Sequence, residues 1–261
     1  MQTDTDDARA EQLQHLLHAR ALDCTLQWCA QIDSTNAELL RRVRAHPGAG
    51  AQCLVAGTQS AGRGRQGRRW IDADAAVLTS LAWPFAAGTP LDALSLACGV
   101  WLAQTLQALG ACGVGLKWPD DVLLRANKLA GVLVELADTQ EARWAVIGIG
   151  VNLRLPDGVD GAAALEQIAA PPTRWELLEQ LLPTLLQGLG SFALSGFAPW
   201  QPAWNALHAW HGDAVRVIEG GQTVASGVAC GVDASGCLLL ETDGGILPVR
   251  SGDVSLRRLA G

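Results

Sequence analysis

Four short β-like runs follow one another in the middle of the chain, separated by glycine, proline or polar residues. They cover residues 113–119, 121–124, 127–136 and 143–153. Strands that succeed one another without an intervening helix pair antiparallel, because a parallel pair needs a long crossover connection. The sequence therefore predicts an antiparallel sheet at the centre of the fold.

Helical and β patterns flank this central region. Residues 89–110 predict a long, largely buried helix that Thr89 caps and Gly110 ends. Residues 173–210 return to a helical pattern, and from Gly212 onward the pattern is entirely β. Turn signals there recur roughly every ten residues, which is the spacing of a small barrel or sandwich.

These patterns divide the chain into three parts. We expect an N-terminal extension over residues 1–25, with a short helix over residues 6–20. An α+β domain with a mostly antiparallel sheet follows over residues 26–210, and a small β domain over residues 211–261 completes the chain.

Composition excludes several classes of protein. The 261 residues are 49% hydrophobic and carry a formal net charge of −7, which argues against broad electrostatic binding to nucleic acid or to an anionic membrane. Seven cysteines without a C-x-x-C pair favour reduced thiols over a disulfide framework or a zinc ribbon. We therefore expect a cytoplasmic protein with no membrane segment and no DNA partner.

One segment is strongly basic, in contrast to the negative net charge of the whole chain. Residues 61–70 read AGRGRQGRRW and interleave four arginines with three glycines. Glycine lets backbone N–H groups converge on a ligand, and arginine offers a planar fork for carboxylate or phosphate. A loop that cradles an anion is one interpretation. A mobile, solvated basic loop and an arginine–glycine contact to nucleic acid are the alternatives.

Two further segments place charged side chains at the ends of predicted strands. KWPDD, residues 117–121, brings together a lysine and two carboxylates, which either hold Mg²⁺ or form an ordinary Pro-Asp turn. NKLAGVLVE, residues 127–135, opens an apolar strand with Lys128. This lysine either points into a site or lies at the sheet edge.

Two more segments have a structural interpretation beside a ligand-binding one. IGIGVN, residues 147–152, puts two glycines in a strand, which suggests a backbone lying against something flat or simple sheet packing. It is not a complete dinucleotide fingerprint. DSTN, residues 33–36, caps a helix predicted to begin near Asn36, and its hydroxyls and amide are also suited to a polar ligand.

The order of these segments resembles the biotin–protein ligase family, that is, biotin–[acetyl-CoA-carboxylase] ligase. STN, GRGRQGR, KWPDD, KLAGVLVE, GIGVN and a β domain ending in SGDVSLR follow one another over about residues 30–258. The resemblance implies a class II synthetase-like catalytic domain, which binds biotin and ATP, and an SH3-like C-terminal β-barrel. It also implies an enzyme that activates biotin with MgATP to biotinyl-5′-AMP. Biotin then passes to a lysine of the biotin carboxyl carrier protein.

The resemblance also assigns roles to individual residues. The implied biotin-binding residues are Ser34, Thr35, Asn36, Gln59, Gly62, Arg63, Gly64, Arg65, Lys128 and Gly131. The implied ATP-binding residues are Arg65, Arg68, Trp70, Lys117, Asp120, Asp121 and Asn152, with Asp120 and Asp121 as Mg²⁺ ligands. Lys128, Arg63 and Arg65 are the implied catalytic residues. Lys128 would offset charge as a carboxylate approaches a phosphate, and Arg63 and Arg65 belong to the loop that closes over biotin and its adenylate.

Two features depart from the family pattern. Asp120 stands where the family usually has asparagine, which adds negative charge beside the ATP phosphates, and we hypothesise that Mg²⁺ compensates. Roughly 30 residues precede DSTN, too few for a winged-helix DNA-binding domain, so we expect a ligase without repressor function. Both a monomer and a homodimer are compatible with the sequence. The loop over residues 61–69 is predicted to be mobile until substrates close it.

Three other functions remain open at this stage. A lipoate ligase or octanoyltransferase shares the fold but has a different glycine–arginine signature. A binding module that holds biotin or biotinyl-AMP would keep the pocket without turnover. An RNA-binding protein would use the glycine–arginine loop, although a net charge of −7 with one basic cluster disfavours it.

Overall fold

A seven-stranded sheet organises the larger part of the computed structural model, which describes residues 2–70, 75–252 and 254–259. Its strands are β1 (Thr25–Ile32), β2 (Gln52–Gln59), β3 (Ala76–Phe85), β4 (Val114–Lys117), β5 (Asp121–Leu124), β6 (Asn127–Asp138) and β7 (Arg143–Asn152). The spatial order is β1-β2-β3-β7-β6-β5-β4. β1 and β2 are parallel and the other neighbours are antiparallel, so the predicted antiparallel sheet is confirmed.

Helices cover both faces of this sheet. They are α1 (Gln2–Ala19), α2 (Thr35–Ala45), α3 (Leu94–Ala108), α4 (Arg174–Ser195) and α5 (Gln201–Ala206). Successive side chains of a strand point to opposite faces, so Leu81 joins the core cluster that contains α1, α3 and α4. The next residue, Ala82, packs in a separate cluster with Leu39 and Val43 of α2.

The long buried helix is confirmed, but its predicted start is wrong. α3 begins at Leu94, after Ala93 in the left-handed conformation with φ +60°. The Thr89 hydroxyl does not cap the helix, because it donates to the Ala86 carbonyl at 2.8 Å within a turn. Gly110, with φ +90°, follows the end of the helix as predicted.

A second, five-stranded sheet lies at the C-terminal end. Its strands are β8 (Ala214–Glu219), β9 (Gln222–Val232), β10 (Leu238–Thr242), β11 (Gly245–Val249) and β12 (Val254–Arg258), in the order β11-β10-β9-β8-β12. All neighbours are antiparallel, which confirms the predicted β pattern after Gly212. The Trp118 indole N–H donates to the Gly236 carbonyl at 3.1 Å and joins this sheet to the larger one.

The N-terminal helix is part of the core. Leu13 and Leu17 of α1 are 1% and 0% exposed. The Gln14 side chain accepts a hydrogen bond from the Leu26 N–H at 2.6 Å and donates to the Cys24 carbonyl at 2.9 Å. α1 is therefore fixed along β1, at one edge of the larger sheet. The domain boundaries after residues 25 and 210 stay a proposal.

None of the helices in the described ranges is, taken singly, long and apolar enough to cross a membrane. A bent pair, made of α4 and residues 198–206 with a bend of 120° between them, is long and apolar enough by length and composition alone.

We predict that Leu17→Ala lowers the free energy of unfolding by about 2–5 kcal/mol, because it removes a fully buried side chain. Urea denaturation followed by circular dichroism measures this change. Leu194→Ala is the matched control, since Leu194 is 90% exposed and should change stability by no more than about 0.5 kcal/mol. Equal effects of the two variants would show that α1 is not integral to the fold.

Candidate active site

Facing glycines open a groove in the larger sheet. Gly131 of β6 pairs directly with Gly150 of β7. Trp70 lies over this pair: a β-carbon added at Gly150 would lie 2.6 Å from the Trp70 ring, and one at Gly131 would lie 3.3 Å away. The expectation that the IGIGVN backbone lies against something flat is confirmed, and the flat group is Trp70.

The predicted site residues meet at and around this groove. The pocket is lined by Ser34, Thr35, Asn36, Gln59, Arg63, Gly64, Arg65, Trp70, Asp120, Lys128 and Gly131, with the apolar Leu78, Val132 and Ile149. Adjoining cavities are lined by Arg68, Lys117, Asp121 and Asn152. Gly62 lies beside the pocket, where an added β-carbon would be 3.3 Å from Gln59 Nε2.

Two cavities extend the pocket. One, of about 140 Å³, lies between Lys117 and residues 254–257 of the C-terminal sheet. The other, of about 190 Å³, lies beside Asn152. Trp70 and Lys128 line the pocket and both cavities, so they stand where the three spaces meet.

The first turn of α2 forms the polar end of the pocket. The Ser34 hydroxyl accepts a hydrogen bond from the Ala37 N–H, so Ser34 is the residue of the DSTN segment that caps this helix. The Thr35 N–H donates to Gln59 Oε1 at 2.7 Å, and the Thr35 hydroxyl lies 3.1 Å from the same oxygen. Gln59 thus holds the helix start in a fixed position beside the groove.

Asn36 is fixed on three sides. Its Oδ1 accepts from the Ser80 hydroxyl at 2.6 Å, and its Nδ2 donates to Glu135 Oε2 at 2.9 Å. Gly148 lies behind it, because a β-carbon added there would be 2.4 Å from Asn36 Oδ1. The glycine in β7 therefore makes room for the amide.

Sequence reasoning assigned no role to Ser80 and Glu135. Ser80 is fully buried in β3, whose other residues are apolar except Thr79, and Glu135 is the carboxylate that ends KLAGVLVE. A polar residue at a core-facing position of an apolar strand is the signal that could have found both.

The basic segment over residues 61–70 folds back on itself. The Gly64 N–H donates to the Arg68 carbonyl at 2.7 Å, and the Trp70 N–H donates to the Gly62 carbonyl at 3.0 Å. These bonds return Trp70 to the groove. The structure gives one conformation of the segment, so its predicted mobility stays a prediction.

Two arginines of this segment pair with carboxylates. Arg63 Nη1 lies 3.1 Å from Glu135 Oε1. Arg65 Nη1 lies 3.0 Å from Asp120 Oδ1, and Arg65 Nη2 donates to the Gly252 carbonyl beside the C-terminal sheet. Arg65 therefore ties the basic segment to both parts of the protein.

The KWPDD carboxylates and two lysines form the second charged group. Asp121 accepts from Lys117 Nζ at 2.7 Å and also pairs with Lys128 Nζ. Burial opposes ionisation of Asp121, but Lys128 and Lys117 outweigh it and lower the pKa of this carboxyl. Burial, followed by the charge of Asp121, raises the pKa of Asp120. Lys128 therefore points into the site and does not merely lie at the sheet edge.

None of the described residues that line the pocket or its two adjoining cavities is a cysteine. Burial raises the pKa of the Cys53 thiol to about 12, so it stays protonated near neutral pH. In the described part of the chain, no three His, Cys, Asp or Glu side chains are grouped closely enough to hold a metal ion.

Comparison with known proteins decides the family. Residues 28–152 match the Biotin/lipoate A/B protein ligase family, and residues 211–257 match the biotin protein ligase C-terminal domain. The chain is 39% identical over 235 residues to the Escherichia coli bifunctional ligase/repressor BirA, covering 87% of this chain and 72% of that protein. The chain belongs to the biotin protein ligase family.

Further members of the biotin protein ligase family agree with this assignment. The biotin–[acetyl-CoA-carboxylase] ligase of Paracoccus denitrificans is 33% identical over 251 residues, which cover 86% of this chain and 98% of that protein. The solved biotin protein ligase of Aquifex aeolicus in complex with biotin and ATP superimposes with a TM-score of 0.76 at 26% identity, covering 90% of this chain and 99% of that one.

We predict that Gly148→Ala lowers the free energy of unfolding by about 1–3 kcal/mol, because its β-carbon would collide with Asn36 Oδ1. Urea denaturation measures the change. Gly190→Ala in α4 is the control, since an added β-carbon there meets nothing within 4 Å. It should stabilise the helix by about 0.5–1 kcal/mol. If Gly148→Ala behaved like this control, Asn36 would not be fixed as described.

Proposed function

We propose that this chain activates biotin with MgATP to biotinyl-5′-AMP and transfers the biotin to a lysine of the biotin carboxyl carrier protein of acetyl-CoA carboxylase. One observation carries the proposal. The basic segment folds back so that Arg63, Arg65 and Trp70 share a pocket with Lys128 and the start of α2. Cations, hydrogen-bonding groups and apolar walls are thereby gathered around one groove.

The groove suits biotin. Thr35, Asn36 and Gln59 offer donors and acceptors for the polar head of biotin, and Val132 and Ile149 are apolar neighbours for its hydrocarbon chain. Arg63, Arg65 and Lys128 line the same pocket, where they would offer counter-charges to the carboxylate of a bound biotin.

The adjoining cavities suit ATP. Trp70 offers an aromatic surface, Asn152 lies beside the same cavity, and Arg68 and Lys117 line the other one. Lys128 lines all three spaces, so a carboxylate in the pocket and a phosphate in a cavity would meet beside it. Its charge would offset the repulsion between two anions.

The proposed reaction has two steps. A carboxylate oxygen of biotin attacks the α-phosphorus of ATP, the bond to the bridging oxygen breaks, and pyrophosphate leaves. The neutral lysine amine of the acceptor then attacks the acyl carbon of the mixed anhydride, AMP leaves with the electron pair of the broken C–O bond, and the nitrogen releases a proton to solvent as the amide forms. A folded-back basic segment would keep water from the anhydride between the two steps.

Asp120 and Asp121 are the residues that would hold Mg²⁺. Two adjacent carboxylates beside cavities suited to phosphates fit an ion that prefers oxygen ligands and takes one or two carboxylates together with substrate phosphates. When bound, the ion would neutralise phosphate charge. In the described structure, Asp120 pairs with Arg65, and Asp121 pairs with Lys117 and Lys128.

The alternatives have less support. The match of residues 211–257 to a domain named for biotin protein ligases favours biotin over lipoate or octanoate. Arg63 and Arg65 pair with carboxylates inside the site, which disfavours a loop that displays its arginines to RNA. A module that binds biotin or biotinyl-AMP without turnover is the rival that only an activity measurement separates. A cytoplasmic location and a monomeric or homodimeric state without operator binding stay predictions.

The test is biotin-dependent release of pyrophosphate from MgATP, with and without a biotin carboxyl carrier domain. We expect release to become catalytic when the acceptor is added, and biotin to appear on its lysine by mass spectrometry. Tight biotin binding without pyrophosphate would support the binding module instead. Turnover of lipoate or octanoate in place of biotin would show that the protein is a lipoate ligase or octanoyltransferase instead.

We predict that Lys128→Gln lowers the kcat of pyrophosphate release by about 10²- to 10³-fold, since it removes the cation common to all three spaces. Biotin affinity, measured by calorimetry, should change far less. Arg125→Gln is the control, because Arg125 is an exposed cation three residues away in the β5–β6 turn. Unchanged turnover in Lys128→Gln would remove this lysine from the mechanism.

We predict that Asp120→Asn lowers the KM for ATP at limiting Mg²⁺ by roughly three- to tenfold, because it removes a negative charge beside the expected phosphates. At saturating Mg²⁺ the activity should change by less than about threefold, since the ion compensates for the carboxylate. Pyrophosphate release across a Mg²⁺ titration measures both effects. A strong rise in activity at saturating Mg²⁺ would contradict the compensation.

A further inference from the structure

Glu135 lies between the polar end of the pocket and the basic segment. Its Oε2 accepts from Asn36 Nδ2 at 2.9 Å, while its Oε1 lies 3.1 Å from Arg63 Nη1. One carboxylate thus contacts two groups that belong to different elements: the first turn of α2 and the glycine–arginine loop.

A series of side-chain hydrogen bonds continues from Glu135 and Asn36 into the pocket. Ser80 lies 2.6 Å from Asn36 Oδ1 and 2.6 Å from Thr35 Oγ1, and Thr35 in turn contacts Gln59. Because Asn36 is buried and closely backed by Gly148, its amide cannot shift freely. A ligand that engages the polar end of the pocket therefore acts on groups that are hydrogen-bonded, one after another, as far as Glu135.

The ion pair between Glu135 and Arg63, at the other end of this series of hydrogen bonds, suits a reversible closure of the basic segment. The Arg63 side chain is 49% exposed and that of Glu135 is 22% exposed. Ion pairs of this exposure change an equilibrium by roughly two- to fivefold, which is enough to bias a loop without locking it. Arg63 is also one of the arginines of the segment expected to close over the ligand.

We propose that Glu135 is a positioning residue that couples occupation of the polar end of the pocket to closure of the basic segment over residues 61–69. The ligand in question is biotin, so the coupling rests on the proposed function. Asn36 and Arg63 are the two groups that Glu135 links, and its role is exerted through them and not on the reacting atoms.

Limited trypsin digestion of the full chain tests this coupling. Trypsin cleaves after the arginines of the segment, and mass spectrometry identifies those fragments among all others. Glu135→Gln keeps an amide oxygen that can accept from Asn36 Nδ2 but removes the charge that faces Arg63. In the absence of ligand, cleavage within the segment should become roughly two- to fivefold faster. Protection by biotin is the ratio of the cleavage rate without biotin to the rate at saturating biotin. In Glu135→Gln this ratio should also fall roughly two- to fivefold.

Glu38→Gln is the matched control. Glu38 pairs with Arg41 and Arg42 on the surface of α2, and its side chain is 24% exposed, close to the value for Glu135. This variant also loses a carboxylate–arginine contact, but one that does not lead to the basic segment. Its cleavage rate and its protection by biotin should match those of the wild type, as should the thermal midpoint of both variants.

Several outcomes would overturn the coupling. Glu135→Gln could match Glu38→Gln in cleavage and in protection, or it could lose biotin affinity while its segment is cleaved and protected as in the wild type. The second result would make Glu135 a residue of the pocket alone. If the wild type neither binds biotin nor releases pyrophosphate, the proposed function fails. The ligand-free cleavage rates then decide on their own whether Glu135 positions Arg63, since equal rates exclude it.

Discussion

The pairing of Gly131 with Gly150 is the constraint on which the rest of the site depends. Two facing residues without side chains leave a bare strip in the middle of a sheet that carries packed apolar clusters on both faces. Trp70 fills part of that strip and brings the end of the basic segment with it. Lys128 and the first turn of α2 line the same pocket, so three distant stretches of sequence meet there.

Charge pairing explains how an acidic protein keeps a cationic site. Arg63, Arg65, Lys117 and Lys128 each pair with a carboxylate, namely Glu135, Asp120 or Asp121. Partly buried charges are costly unless they are paired, so these carboxylates stabilise the cations in the absence of ligand. An anionic ligand has to share or replace these partners. Its affinity therefore reflects an exchange of counter-ions and not a simple attraction to bare positive charge.

Patterns of local sequence predicted much of this fold and part of the site. The strands over residues 113–153 could be predicted, because strand breaks and hydrophobic alternation are local properties of the sequence. The start of α3 was predicted wrongly, because Ala93 adopts a left-handed conformation that is uncommon for alanine. Most of the residues that the family resemblance implied line one pocket or its two adjoining cavities, and their individual roles stay predictions. Ser80 and Glu135 were missed because each looks like an ordinary strand residue until β3, β6 and α2 are packed together.

The side chain of Gln14 has a consequence for the whole molecule. β1 is the outermost strand of its sheet, and its outer backbone groups would otherwise be available to a strand from another chain. Gln14 carries an amide like that of the backbone and gives Leu26 an acceptor and Cys24 a donor, just as a neighbouring strand would. α1 therefore covers the start of β1 with a helix, and a strand from another chain could pair at those backbone groups only after displacing Gln14.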